Sequence, residues 1–205
     1  LNHTQFPTSG LHFSIAGRYV HSVEDYKPGT TSMLPRMDND RPTIWAARVY
    51  NEKYFRLGNR FSLGYMVDAL YSTKTRYSNY LSTVLMSPAF QPTVHSKTVF
   101  IPEFRSNTFL GGGVMPNFFF ADRLYLSTGI YMFVPYKEIV KNTDFTATYG
   151  DPIKTFVFSG HASLVWDTPF GPLSFSVNYY DKIDHKFYYS FNFGFILFNR
   201  NGIEY

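Results

Sequence analysis

The chain has 205 residues, a formal net charge of +4 and no cysteine, and it is 44% hydrophobic and only 17% charged. This composition excludes an intrinsically disordered chain, a disulfide scaffold and a thiolate metal site, and the mild charge without a basic cluster argues against a nucleic-acid partner. No window approaches the ~20 uninterrupted apolar residues of a membrane-spanning helix, which excludes a helical membrane protein. Aromatic residues make up 20% of the chain, and their spacing predicts the fold.

Eight segments alternate apolar and polar residues with a period of two, as β-strands with one apolar face do. They cover residues 11–22, 43–56, 61–74, 99–119, 123–134, 155–167, 172–180 and 186–199. Helical spacing is not sustained anywhere, and residues 78–87 are the only stretch that favours a helical turn. The sequence therefore predicts an all-β chain, with residues 1–205 as a single domain or part of one.

The connections between the predicted strands alternate in length. Three are tight turns, at residues 57–60, 120–122 and 168–171. Three are long, at residues 23–42, 75–98 and 135–154. In an antiparallel up-and-down sheet, successive connections lie at opposite ends, so one end carries the turns and the other the loops. This asymmetry is typical of transmembrane β-barrels, whose periplasmic turns are short and whose extracellular loops are long.

The polar positions distinguish a membrane barrel from a soluble β-barrel or sandwich, because both alternate with a period of two. A soluble sheet carries charged residues on its outer face, whereas these positions are chiefly Ser, Gly, Asn and His. We therefore expect an antiparallel transmembrane β-barrel with an aromatic lipid face, and keep the soluble fold as the alternative. The predicted lipid-facing residues are Leu173, Phe175, Val177, Phe187, Tyr189, Phe191, Phe193, Phe195 and Leu197. The predicted lumen-facing residues are His161, Ser174, Ser176, Asn178, Ser190 and Asn192.

The predicted interior also bears on the size of the barrel. Eight strands close a barrel only when side chains fill its interior. Ser174, Ser176, Ser190 and Gly194 are too small to do so. We expect these eight strands to be part of a wider barrel.

Several stretches of the sequence resemble a known family. They are residues 6–20 with 28–32, residues 87–114, residues 124–139, and residues 168–199, TPFGPLSFSVNYYDKIDHKFYYSFNFGFILFN. In order and spacing they resemble the C-terminal Omp85-like outer-membrane β-barrel of Bacteroidota patatin-like proteins. The resemblance implies a barrel of about sixteen strands in a Gram-negative outer membrane, with these eight as its C-terminal half. It also implies an N-terminal patatin hydrolase and a periplasmic linker.

The function implied by the resemblance is a non-catalytic outer-membrane barrel domain that anchors or presents a patatin-like lipid hydrolase. The patatin nucleophile motif G-x-S-x-G does not occur here, and the nearest stretch, around Ser62, lacks the first glycine. An Omp85-type translocation or assembly barrel and a barrel enzyme acting on lipids are the alternatives. The expected partners are the lipid bilayer, the remainder of the barrel or polypeptide and other outer-membrane subunits. The start at Leu1, without a signal peptide, favours a mature product or a fragment.

Few residues are candidates for chemistry. His161 shares the polar face of its predicted strand with Ser163 and Asp167, but neighbours two apart lie about 6 to 7 Å from each other, which is a poor nucleophile–base pair. We expect a luminal histidine that is hydrogen-bonded to the next strand. The glycines at 111–113 lack the Lys-Ser/Thr of a phosphate loop and favour a glycine kink. His95 and His185 have no second ligand at metal spacing, so neither a metal nor a cofactor is predicted.

Overall fold

A computed structural model of the chain describes residues 1–3, 5–21, 23, 43–77, 79–183 and 186–195. Leu197 of the predicted lipid face, His185 and nearly all of the predicted connection 23–42 lie outside the described residues.

Eight strands form one antiparallel sheet. They are β1 (Gly10–His21), β2 (Thr43–Arg56), β3 (Phe61–Ser72), β4 (Phe109–Ala121), β5 (Leu124–Pro135), β8 (Val157–Thr168), β9 (Gly171–Tyr180) and β10 (Phe187–Phe193). They follow one another in chain order, with a hairpin of β6 (Lys137–Lys141) and β7 (Ala147–Pro152) inserted between β5 and β8. The predicted all-β, up-and-down fold is confirmed.

The predicted alternation of connections is confirmed by the strand register. Tight turns join β2 to β3, β4 to β5 and β8 to β9, where the last pairs are Arg56 with Ser62, Ala121 with Leu124 and Thr168 with Gly171. The connections from β3 to β4 and from β5 to β8 are long and lie at the opposite end of the sheet. The described part of the chain contains one short helix, α1 (Tyr80–Leu85), and two 3-10 turns, His95–Lys97 and Pro102–Phe104. Among the described helices, none is long and apolar enough to cross a membrane.

The sheet is open. In the described residues β1 pairs only with β2 and β10 only with β9, so each leaves one backbone edge without a strand partner. β1 is exposed along nearly all of its length on both faces. The described residues therefore contain no closed barrel.

The two faces of the sheet differ sharply in chemistry. The inner face carries buried polar residues, among them Ser62, Asp68, Asn117, Ser163 and Asn178. The outer face carries large exposed apolar side chains on all eight strands, including Phe13, Trp45, Tyr71, Leu110, Ile130, Trp166, Phe175 and Phe191. Its only Lys, Arg, Asp or Glu within the described strands is Lys53, whose ammonium lies 4.7 Å from the centre of the Phe55 ring. The inner face also carries a buried apolar cluster that includes Met66, Phe109 and Phe133, so this sheet differs from an ordinary soluble one in its exposed and nearly uncharged apolar outer face.

The fourth strand was predicted to begin at residue 99, and this is wrong. Strand β4 begins at Phe109, and residues 86–108, which we call the covering segment, pack across the inner face instead. Pro102 begins a 3-10 turn, for which its ring is preorganised and its missing N–H is no loss. Phe90 and Phe104 insert against Phe133 of β5, with ring centroids 5.8 Å apart in both pairs.

Two glycines of β4 make room for aromatic rings. A Cβ at Gly111 would lie 2.3 Å from Cε2 of Phe90, and one at Gly113 would lie 2.3 Å from Cδ1 of Tyr131. The pairing of β3 with β4 runs through the triplet without a register shift, so these glycines form no bulge with β3, and the kink stays a prediction. Glycine is needed here because the rings occupy the space of a side chain.

Candidate functional site

A polar cavity lies between the covering segment and the inner face. Its walls come from β2, β5, β8, β9 and β10, from residues 92–97, and from residues 5–7 near the N-terminus. Its free volume is about 60 Å³. On a flat sheet six strand spacings would separate β2 from β10 by about 29 Å, more than so small a cavity spans. The sheet therefore curls around the cavity.

The acidic wall of the cavity is Glu52 of β2. Its carboxylate accepts hydrogen bonds from the hydroxyls of Tyr50, at 2.8 Å, and Tyr54, at 3.0 Å. The three residues share the inner face because they are two apart on one strand. Tyr54 lies flat on the neighbouring strand, where a Cβ at Gly64 would meet its ring at 2.4 Å. The carboxylate is thus held by two rigid, neutral phenols.

The opposite wall contains His161 of β8. Its Nδ1 is 3.2 Å from the hydroxyl of Tyr131, and the two rings stack at 15° with centroids 5.8 Å apart. Tyr131 belongs to β5, the strand next to β8, so the expected hydrogen bond of His161 to a neighbouring strand is confirmed. Ser163 instead donates to the Ser176 hydroxyl at 2.8 Å. The geometry pairs neither serine with a base.

Strands β9 and β10 each carry a buried polar atom that faces the cavity without a hydrogen-bond partner in the described residues. The amide nitrogen of Asn178 and the hydroxyl of Ser190 are both enclosed, have no hydrogen bond within the described residues, and belong to residues that line the cavity. Asn178 is only 2% exposed. Such groups are rare in folded proteins, because a buried donor without an acceptor costs about 1 to 3 kcal/mol.

The covering segment is anchored above the cavity by His95. Its Nδ1 is 2.9 Å from the Tyr180 hydroxyl, and its ring lies 5.3 Å from that of Tyr188. Burial lowers the pKa of the His95 imidazole below its usual value, so the docked segment favours the neutral ring.

The residues predicted to face lipid or lumen fall on the two faces as the alternation requires. Phe175, Phe187, Tyr189, Phe191, Phe193 and Phe195 are exposed, and Leu173 and Val177 are half-buried on the same outer face. Ser174, Ser176 and Asn178 are buried on the inner face, and His161, Ser190 and Asn192 are half-buried there. The environment of each face, lipid or lumen, remains a prediction.

Sequence reasoning missed the residues that give the cavity its charge and its aromatic walls, namely Tyr50, Glu52, Tyr54 and Tyr131. The alternation of Tyr, Glu and Tyr along β2 is a signal, because it breaks the pattern of small inner residues seen in β9 and β10. Within the described residues, no three His, Asp or Glu side chains come together as metal ligands.

Comparison with protein-family models gave no match, and neither did comparison with curated proteins or with solved structures.

Proposed function

We propose that this chain forms part of the wall of a transmembrane β-barrel in the outer membrane of a Gram-negative bacterium. The observation that carries the proposal is the outer face of the sheet: large apolar side chains are exposed there and nearly all charged residues of the strands lie on the inner face, which also holds the apolar cluster under the covering segment. Monomeric soluble proteins rarely expose an apolar surface of this extent. In a bilayer the same surface is favourable, and its aromatic residues match the lipid-facing side of known barrels.

Strand length supports the proposal. Strands β1 to β5 and β8 have 12 to 14 residues, where strands of globular proteins average about five or six. At about 3.3 Å per residue and a tilt near 45°, such strands span about 28 Å, close to the thickness of the hydrocarbon core.

The two free edges support a barrel wider than these eight strands. Unpaired backbone N–H and C=O groups are not tolerated in contact with lipid, so β1 and β10 each need a strand partner; they do not pair with each other within the described residues, and we propose further strands between them. The remainder of the same polypeptide is the proposed source, in agreement with the sixteen strands that the sequence resemblance implies. Intact mass of the native protein tests this: a mass well above 23.8 kDa is expected, and a native chain of that mass that is monomeric and protease-resistant would contradict it.

Within the barrel we assign this chain a non-catalytic role, anchoring or presenting a lipid hydrolase. The hydrolase itself rests on the sequence resemblance alone. Two observations favour an anchor over a barrel enzyme or an open conduit: His161 and Ser163 have separate partners, and the covering segment occupies the inner face.

Fractionation of the native envelope tests the membrane proposal. The protein is expected in the outer-membrane fraction, resistant to carbonate extraction and released by detergent. Recovery in a soluble fraction, folded with its full β content in the absence of detergent, would refute membrane insertion.

A further inference from the structure

We propose that the polar cavity binds a small primary ammonium compound, with its ammonium group on the Glu52 carboxylate and an oxygen atom on the Asn178 amide. The charge of one wall, the unpartnered donors of the other and the size of the space between them favour such a ligand.

Among the described residues that line the cavity, Lys97 alone carries an ammonium group, and it forms no ion pair with the Glu52 carboxylate. Both hydrogen bonds to this carboxylate come from neutral tyrosine hydroxyls, and no cation of the described residues forms an ion pair with it. An ionised carboxylate accepts about four hydrogen bonds, so two positions stay open. A half-buried carboxylate that faces a cavity in this state favours a cation there.

Aromatic rings complete the cationic end of the site. Tyr50, Tyr54 and Tyr131 line the same cavity as Glu52, and Tyr54 and Tyr131 are at most 8% exposed. The faces of such rings attract ammonium groups, more strongly where water is excluded. A primary ammonium also supplies three N–H donors, which match the open positions on the carboxylate.

The other end of the cavity offers donors. The amide nitrogen of Asn178 is buried and has no hydrogen-bond partner among the described residues, and the same is true of the Ser190 hydroxyl. Both residues line the cavity, and an oxygen atom of a ligand would satisfy them. The ligand is therefore a cation at one end and an acceptor at the other.

The volume limits the ligand. A space of about 60 Å³ holds roughly four to six water-sized atoms. It accommodates ethanolamine, whether free or as the headgroup of a lipid.

Ligand binding is measured by saturation-transfer NMR on the protein purified in phosphocholine detergent, so the result does not depend on membrane insertion. Ethanolamine is expected to bind, and 1-propanol, its neutral analogue of similar size, is not. Glu52→Gln should weaken ethanolamine binding by at least about tenfold, because it removes a charge-assisted hydrogen bond. Asn178→Ala should weaken it by a smaller factor. Glu138→Gln is the matched control, because Glu138 lies on β6 outside the cavity and bonds Thr155.

A double variant, Tyr50→Phe with Tyr54→Phe, separates binding from folding. It keeps the carboxylate and removes its two donors, so ethanolamine should still bind. Two results would overturn the proposal: 1-propanol binding as well as ethanolamine, or Glu52→Gln binding ethanolamine as well as the unaltered protein does. Either result would leave a cavity that holds water only. In vesicles, competition by phosphatidylethanolamine and not by phosphatidylcholine would identify the lipid headgroup as the ligand. If free ethanolamine binds equally well in vesicles of either lipid, the ligand is the free amine and not the lipid headgroup.

Discussion

Substitution of Gly111 by alanine is expected to loosen the covering segment. The new Cβ would lie 2.3 Å from Cε2 and 2.4 Å from Cδ2 of Phe90, where carbon atoms normally approach to about 3.5 to 4.0 Å. Phe90 is 1% exposed and stacks on Phe133, so its ring must move by about 1 Å against a packed core. Overpacking of this kind costs about 1 to 3 kcal/mol. Because the clash is with the covering segment, we expect the cost to appear in its docking.

Tryptic cleavage after Lys97 of the folded protein measures that docking. Lys97 is exposed within the covering segment, and cleavage tracks the open population when reclosing is fast. A cost of about 1 to 3 kcal/mol predicts cleavage roughly 5- to 150-fold faster for Gly111→Ala. Gly17→Ala is the control, because nothing lies within 4 Å of a Cβ at that position.

A second substitution tests the cause. Phe90→Leu in the Gly111→Ala background removes the ring from the clash, so the combined effect should be smaller than the sum of the single effects. Equal cleavage rates for Gly111→Ala and Gly17→Ala, or strict additivity with Phe90→Leu, would refute the idea that this glycine makes room for the ring.

Three further predictions concern charge. Burial lowers the pKa of His95, so below the usual value of 6.5 the undocked covering segment binds more protons than the docked one. Docking should therefore be fully stable above pH 6.5 and weaken as the pH falls, which is measured as faster amide exchange in the segment. In His95→Gln this pH dependence should disappear. Asp68→Ala removes the two hydrogen bonds that the Arg48 guanidinium donates to the carboxylate, at 2.8 and 2.7 Å. The free energy of unfolding, measured in denaturant, should fall by about 3 kcal/mol. A loss below about 1 kcal/mol would mean that the pair is dispensable. Phe191→Arg should destabilise the protein in lipid by about 2 to 4 kcal/mol and Asn192→Arg by much less, and equal losses would contradict the assignment of the two faces.

The alternation of side chains made both faces of the sheet predictable. Successive residues of a strand point to opposite sides, so the pattern in 187–193 alone separates Phe191 from Asn192. Connection lengths likewise placed the tight turns, because antiparallel neighbours need only a few residues between them.

The covering segment could not be predicted in the same way. Val99 and Ile101 are two apart, as residues on one face of a strand are, yet they pack over the inner face together with Phe104. The spacing of apolar residues along the chain shows that a residue is apolar, but it does not show which surface that residue packs against. The cavity was missed for a related reason, since Glu52 and Asn178 are brought together only by the curl of the whole sheet.

The central claim, that the apolar outer face contacts lipid, is tested most directly by fluorescence quenching with bromine-labelled lipid chains. A tryptophan is placed at Phe191 or at Asn192, each in a parent with Trp45→Phe and Trp166→Phe. Strong quenching at position 191 with weak quenching at position 192 is predicted. Equal quenching at both positions, or none at either, would contradict the membrane orientation of the sheet.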